Sequence, residues 1–328
     1  MDLKAEVNAY IGARELIRPE DTLLIGVSGG ADSLCLFDIL TDGARAARTA
    51  VCHVHHHLRA AADEEELFVR RLCEERGVEY HRADVDLSTQ KGLSVEEAAR
   101  KLRYEAFAEI LRGMQPDASK RCLAVAHTLD DDAETVLYHL FRGSGLKGLG
   151  GIRPCQQLEE YRIVRPLLDV PRTAVEEYLT ARGMQWCEDE SNRSDVYARN
   201  RIRHTVLPAA AGINERAAAH IHDTAVQLAE AEDYLAAGTA AALERITEEI
   251  PDGLRIDRKE FLSLHPCLQK RLSLLCLQRV SGREKDISQV HAELFCGLFR
   301  LPKGKMLDLP YRLHALRLKD SVELLRKS

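Results

Sequence analysis

An apolar run that stops abruptly at a cluster of small residues constrains this chain more than any other feature. Leu23-Leu24-Ile25-Gly26-Val27 reads as a buried strand, Ser28-Gly29-Gly30-Ala31-Asp32-Ser33 as a tight turn, and Leu34 to Leu40 as helix. A strand, a Gly-containing turn and a helix N-terminus together present unpaired backbone N–H groups to an anion. Gly29 and Gly30 permit close approaches that a Cβ would block, and Ser28 and Ser33 add hydroxyl donors. The loop lacks the lysine of the G-x-x-x-x-G-K-[ST] phosphate loop, so it is a different nucleotide-binding device. Asp32 would repel phosphates unless a divalent cation bridged them. An ordinary turn capped by Asp32 or Ser33 is the competing explanation, and six small residues in this order after such a strand favour the phosphate.

The pattern around this turn alternates. Strand candidates at Thr22–Val27, Thr49–His53, Val78–Asp84 and Cys122–His127 are separated by helix candidates at Ser33–Leu40, Asp63–Arg76, Ser94–Leu111 and Asp131–Leu140. Ser94-Val95-Glu96-Glu97 is a capping box ahead of an apolar stripe. Such alternation predicts an α/β fold with a doubly wound, mainly parallel sheet, whose ligands bind beyond the carboxyl ends of the strands. That places Ser28–Ser33 and His127–Glu134 on one rim. Gly143–Gly151 reads as a flexible loop near the site. After Pro208 the character changes. Asn214 to Glu249 is nearly continuous helix former, Leu262–Gln278 and Ser288–Arg300 read as helices, and Met306–Leu309 and Leu313–Leu318 as a small hairpin. The expected division is an α/β domain over 1–213 and a mostly helical domain over 214–328.

Bulk properties narrow the function classes. At 328 residues two domains are expected, and 45% hydrophobic with 30% charged residues is an ordinary globular balance. No apolar run approaches the roughly 20 residues that cross a bilayer, and the polar start Met1–Glu6 is unlike a signal peptide, so a cytoplasmic protein is expected. None of the nine cysteines forms a C-x-x-C pair, which argues for reduced thiols and against a zinc ribbon or iron–sulfur cluster. Residues 253–328 hold 16 Lys+Arg against 8 Asp+Glu, whereas 1–252 carry a net charge of −14. A basic terminal segment on an acidic body suits a polyanion, with chance segregation of charge as the alternative.

Several constellations carry chemistry. Asp130, Asp131, Asp132 and Glu134 follow His127 at the start of a helix, and Asp131 and Glu134 share one helical face. The helix dipole accounts for one or two such acids; the full set suits a Mg²⁺ or acid–base site. In His53-Val54-His55-His56-His57-Leu58-Arg59, consecutive histidines do not share a face, so a transition-metal site is not expected. They line a nucleotide or base, or form a polar loop. Glu97, Arg100 and Arg103 form a stripe beside Tyr104, either a salt-bridged face or a phosphate clamp. Glu188–Asn192 and Arg199-Asn200-Arg201-Ile202-Arg203-His204 form a further polar cluster able to contact phosphates.

Ser-Gly-Gly-x-Asp-Ser resembles the pyrophosphate loop of ATP pyrophosphatases. The ordered set Ser28–Ser33, His53–Arg59, Glu97–Tyr104, Ala126–Gly151 and Asp189–Pro208 resembles one family within them, the tRNA(Ile)-lysidine synthases, over nearly all of the first 208 residues. The likeness is looser over 214–328. It implies that ATP adenylates the wobble cytidine of a CAU-anticodon tRNA(Ile), that free L-lysine then displaces AMP, and that the second domain binds tRNA. It further implies that Ser28, Gly29, Gly30, Ala31, Asp32, Ser33, Arg103, His127, Arg199 and Arg201 hold ATP. Asp32, Asp131 and Glu134 would be both the catalytic residues and the Mg²⁺ ligands. The chain departs from the family pattern at Thr128 and near His56–His57, and it ends where longer members carry a further C-terminal domain. A tRNA thiolase of the same superfamily is the rival enzyme, disfavoured by the missing C-x-x-C. An inactive tRNA-binding protein is the rival of another class, disfavoured by the retained carboxylates. A homodimer is compatible with the sequence, which does not require one.

Overall fold

The computed structural model describes residues 2–43, 45–55, 57, 61–90, 92, 94–187, 198–283 and 287–327. The chain divides into two compact units, Met1–Ala229 and Glu230–Ser328.

The first unit is built on a six-stranded sheet. Its strands are β1 (Thr22–Gly26), β2 (Arg48–His55), β3 (Glu79–Asp84), β4 (Arg121–Ala124), β5 (Cys155–Gln157) and β6 (Arg162–Val164), in the order β3-β2-β1-β4-β6-β5. Every pairing is parallel except the edge pair β5–β6. The helices are α1 (Leu3–Ala13), α2 (Ala31–Thr41), α3 (Ala61–Arg76), α4 (Val95–Met114), α5 (Leu129–Phe141), α6 (Leu146–Leu149), α7 (Arg172–Ala181), α8 (Ala198–Arg201), α9 (Leu207–Ala211) and the long α10 (Ala217–Ile246).

Strand β1 shows why the sheet is doubly wound. Leu23 and Ile25 pack in one buried cluster with Leu34 and Phe37 of α2, Val69 of α3 and Val175 of α7. Leu24, pointing the other way, packs with Phe107, Ala108 and Leu111 of α4. A strand covered on both faces reads as a continuous apolar run, as this one does. The chain leaves β1 toward β2 and β3 on one side and returns to β4 on the other. The reversal lies between β1 and β4, where open α/β sheets form their binding crevice.

The segment Gly143–Gly151, expected to be flexible, is packed at its C-terminal end, while Gly143 and Gly145 are exposed. It contains α6, and Gly151 (φ 62°) lies so close to Asp132 that a Cβ there would sit 2.2 Å from Oδ1. Asp132 accepts from the backbone N–H of Ile152 at 2.5 Å and pairs with His222 Nδ1 of α10 at 2.7 Å, while His222 Nε2 reaches Asp169 at 3.2 Å. Burial alone would lower the His222 pKa, but its two carboxylate partners outweigh that and push it up to about 9. The native value lies above the unfolded one, so the clamp stabilises fully below about pH 6.5 and is lost as pH rises through about 9. We expect the unfolding free energy to fall across that window by about 3 kcal/mol more in the wild type than in His222→Gln. Chemical denaturation of both proteins at pH 6 and pH 10 checks this, and equal slopes would remove His222 as the cause.

The second unit contains the C-terminal part of α10, α11 (Arg258–Ser263), α12 (Pro266–Ser281) and α13 (Gln289–Leu298). These helices accompany a five-stranded antiparallel sheet of β7 (Thr247–Ile250), β8 (Gly253–Asp257), β9 (Met306–Leu309), β10 (Leu313–Arg317) and β11 (Ser321–Arg326), ordered β7-β8-β11-β10-β9. Leu254, Ile256, Leu313, Ala315, Val322 and Leu324 form its buried face against Phe261, Phe295 and Phe299.

The sheet is larger than the hairpin expected. Strand β7 follows α10 without a break, and its Glu248 and Glu249 extend a helix-like composition that pairing with β8 overrides. The division also falls inside α10 rather than before it. With residues 230–252 included, the second unit carries 17 Lys+Arg against 15 Asp+Glu, so the basic excess belongs to its segment after residue 252.

Candidate active site

The turn after β1 and the turn after β4 build the site together. In the first, Ser33 Oγ donates to Gly30 O at 2.9 Å and accepts from Ser28 N–H at 3.2 Å, which folds the loop onto the start of α2. Gly29 takes φ 94°, a conformation that favours glycine. Gly30 caps α2 without a side-chain hydrogen bond, so no cap side chain satisfies the first-turn N–H groups. Asp32 stands in that turn, 3.2 Å from Arg172 Nη2 of α7. Its Oδ1 is buried with no hydrogen-bond partner. Burial pushes the Asp32 pKa up to about 6, against the pull of Arg172 and with help from Asp131.

The three aspartates that open α5 have three different jobs. Asp130 accepts from the backbone N–H of Arg172 at 2.7 Å and fixes the start of α7. Asp131 closes a capping box with Thr128, accepting from its N–H at 3.0 Å and its hydroxyl at 3.1 Å. Asp132 holds Ile152 and His222, as described above.

One turn on from Asp131, Glu134 is 3% exposed, and Arg203 grips both acids. Arg203 Nε donates to Glu134 Oε1 at 2.5 Å, and its Nη2 donates to Glu134 Oε2 and to Asp131 Oδ1, each at 3.0 Å. Burial raises the Glu134 pKa, partly offset by Arg203. Burial also acts to raise that of Asp131, but His127, the Thr128 bonds and Arg203 overcome it and hold the group below the usual carboxylate range.

Arg203 lies in a π turn, Ile202–Val206. Pro208 lacks an N–H and crowds the carbonyl four residues back, so a regular α-helix through this segment is disfavoured, and π turns recur at functional sites. Arg199, four residues before Arg203, donates to Thr135 Oγ1 at 2.5 Å. His127 ends the approach from β4. Burial first, then the surrounding Arg165, Arg100 and Arg199, push its pKa down despite Asp131. Its Nδ1 has no hydrogen-bond partner.

Most of the expected residues therefore converge. Asp32 in the loop Ser28–Ser33, His127, Asp131, Glu134 and Arg199 lie close enough to influence one another's charge. Arg201 and Arg103 (on α4) are exposed. Arg172, which sequence reasoning passed over, also joins the carboxylates, as does Arg203, expected only as one member of the arginine cluster 199–204. The i, i+4 spacing of Arg199 and Arg203 signalled one shared face, which Arg201 could not occupy. Cys187 was also unforeseen here, and its N–H donates to Gly29 O at 2.9 Å. The polar cluster Glu188–Asn192, together with His56, Leu58 and Arg59, lies outside the described residues.

A parallel sheet with a glycine-containing turn and helix N-terminus at its reversal, beside a cluster of carboxylates, is the architecture of nucleotide-dependent enzymes of the α/β class. The PP-loop domain profile matches residues 2–210. A tRNA(Ile)-lysidine synthase from Caldanaerobacter subterraneus is 31% identical over 95% of this chain and 67% of its own length. One from Clostridioides difficile is 32% identical over 97% of this chain and 70% of its own length. The U34-tRNA thiolase NcsA from Methanococcus maripaludis shares the fold, with a TM-score of 0.56 at 17% identity, covering 69% of this chain and 77% of its own. The chain belongs to the tRNA(Ile)-lysidine synthase family.

Proposed function

We propose that this protein joins L-lysine to C2 of the wobble cytidine in CAU-anticodon tRNA(Ile), with ATP as the activating substrate. The cytidine 2-carbonyl oxygen attacks the α-phosphorus of ATP and pyrophosphate leaves. The lysine amine then attacks C2, and AMP departs with the oxygen. The observation that carries this reading is that Asp32, in the turn Ser28–Ser33, stands near Asp131, which shares Arg203 with Glu134.

The first-turn N–H groups of α2 and the Ser28 and Ser33 hydroxyls suit the phosphates. The unpartnered Asp32 Oδ1 suits a divalent cation. Mg²⁺ bound there would neutralise phosphate charge, with Asp32, Asp131 and Glu134 as the oxygen ligands available. The same carboxylates beside Arg203 carry both signs of charge, which also suits an incoming amino acid. His127 offers a hydrogen bond to a base or nucleotide. No described helix is long and apolar enough to cross a membrane, and a cytoplasmic setting follows from a tRNA substrate.

The test is incubation of purified protein with CAU-anticodon tRNA(Ile), Mg²⁺, ATP and radiolabelled lysine, with tRNA(Met) as the control. Label confined to tRNA(Ile), with AMP released, is the expected result. Pyrophosphate exchange dependent on tRNA but no label would reassign the nucleophile. Neither signal, with tRNA still bound, would point to an inactive binding protein.

A further inference from the structure

The histidine run after β1's neighbour is not a run in space. Strand side chains alternate, so His53 and His55, two residues apart, share a face of β2 although consecutive histidines cannot, and His57 follows just beyond the strand. The strand continues far enough for this to matter, because β2 extends to His55 rather than ending at His53. His53 is satisfied, its Nδ1 lying 2.9 Å from Val27 O. The rings of His55 and His57 meet edge to face at 4.2 Å between centroids. Directly across the ladder from His55 stands Asp84, the last residue of β3.

We propose that His55, His57 and Asp84 form a binding site for one divalent transition metal of the Zn²⁺ class, separate from the carboxylates of the active site. One ligand atom from each of the three lies within 4.8 Å of the others. His57 Nε2 is 2.7 Å from Asp84 Oδ1, so this pair opens by about half an ångström to admit an ion at bond lengths near 2.0–2.1 Å.

Three features distinguish the group from an ordinary polar surface. His55 is 2% exposed, yet its Nε2 makes no hydrogen bond; Asp63 Oδ1 lies 3.2 Å away but is not aligned to accept one. A buried imidazole nitrogen without a partner is costly unless something binds it. His57 holds φ 53°, a left-handed conformation that a histidine adopts at a cost, and its N–H reaches His55 Nδ1 at 3.3 Å. Finally, Asp84 is oriented by Arg82, whose Nη2 donates to Oδ1 at 2.7 Å, the kind of outer contact that fixes a ligating carboxylate. Two imidazoles and one carboxylate favour Zn²⁺ or Co²⁺ over Mg²⁺, which prefers oxygen ligands throughout. Three protein ligands leave a further position for water or a substrate group.

The chelator-treated full chain should be titrated with Co²⁺ and followed by its visible absorption, then challenged with Zn²⁺. One tightly held Co²⁺ per chain, displaced by Zn²⁺, is the expected result. Asp84→Asn and His57→Asn should each weaken binding by at least about tenfold. Both side chains are half exposed, and Asn tolerates the backbone at residue 57, so both variants should fold. Asp131→Asn should bind Co²⁺ as the wild type does. The proposal is overturned by no stoichiometric binding, by unchanged affinity in both variants, or by an intense near-ultraviolet thiolate band placing the ion on cysteine. Loss of binding in Asp131→Asn alone would move the ion to the active site and also overturn it.

Discussion

Asp131→Asn is expected to reduce lysine incorporation into tRNA(Ile) by about 10²–10⁴-fold, the range for removing one charged or proton-handling group from a reaction centre. The fold should survive. Asparagine keeps a side-chain carbonyl oxygen, which can still accept from Thr128 N–H as Asp131 does at 3.0 Å. It loses the charge that faces Arg203, and Arg203 retains Glu134 as its bidentate partner. The stability cost should therefore be about 1 kcal/mol, that of an ordinary lost hydrogen bond. Asp131→Ala is the contrasting variant, because it also removes the cap of α5 and costs about another 1 kcal/mol. Steady-state incorporation, ATP binding and thermal unfolding on the three proteins separate the effects. Turnover like the wild type in Asp131→Asn would reduce Asp131 to a helix cap. Lost turnover with unchanged ATP affinity would place its role after nucleotide binding.

How much of this was legible beforehand depended on which physics each residue obeys. The apolar runs and the turn after β1 are local signals. They placed the sheet, the tight turn before α2 and the shared rim, because burial on both faces and helix-terminus geometry leave a direct imprint on sequence. The acids of α5 were legible as a group but not one by one. Only the structure divides Asp130, Asp131 and Asp132 among α7, the Thr128 cap with Arg203, and His222. Arg172 was missed because it meets Asp32 far along the chain, and Arg203 was legible only as one of three clustered arginines, among which composition cannot choose. The strands of the second unit were hidden for the same reason: β7 carries helix-forming glutamates, and its pairing with β8 settles its conformation. The approach of His55 and His57 was not legible from consecutive positions, because it depends on the alternation of β2 and on the backbone turn at His57.

Gly151→Ala should lower the stability of the first unit by about 4 kcal/mol or more, combining overpacking with damage to a buried ion pair. For a unit of this size that corresponds to an unfolding midpoint about 10 °C lower. The added Cβ would stand 2.2 Å from Asp132 Oδ1 at a φ of 62°, so neither the side chain nor the backbone can absorb it in place. Asp132 is buried and cannot retreat without releasing the Ile152 N–H and His222. Gly145→Ala, in the same glycine-rich segment, meets nothing within 4 Å and should cost little, which separates a site-specific clash from a general demand for flexibility. Combining Gly151→Ala with Asp132→Ala provides the sharper test. Removing the carboxylate removes the clash, so the double variant should be less destabilised than the sum of the two single ones. Simple additivity would show that the loop tolerates the methyl by moving elsewhere. The segment that looked flexible in sequence would then be flexible after all, and the Asp132–His222–Asp169 clamp would not be what holds it.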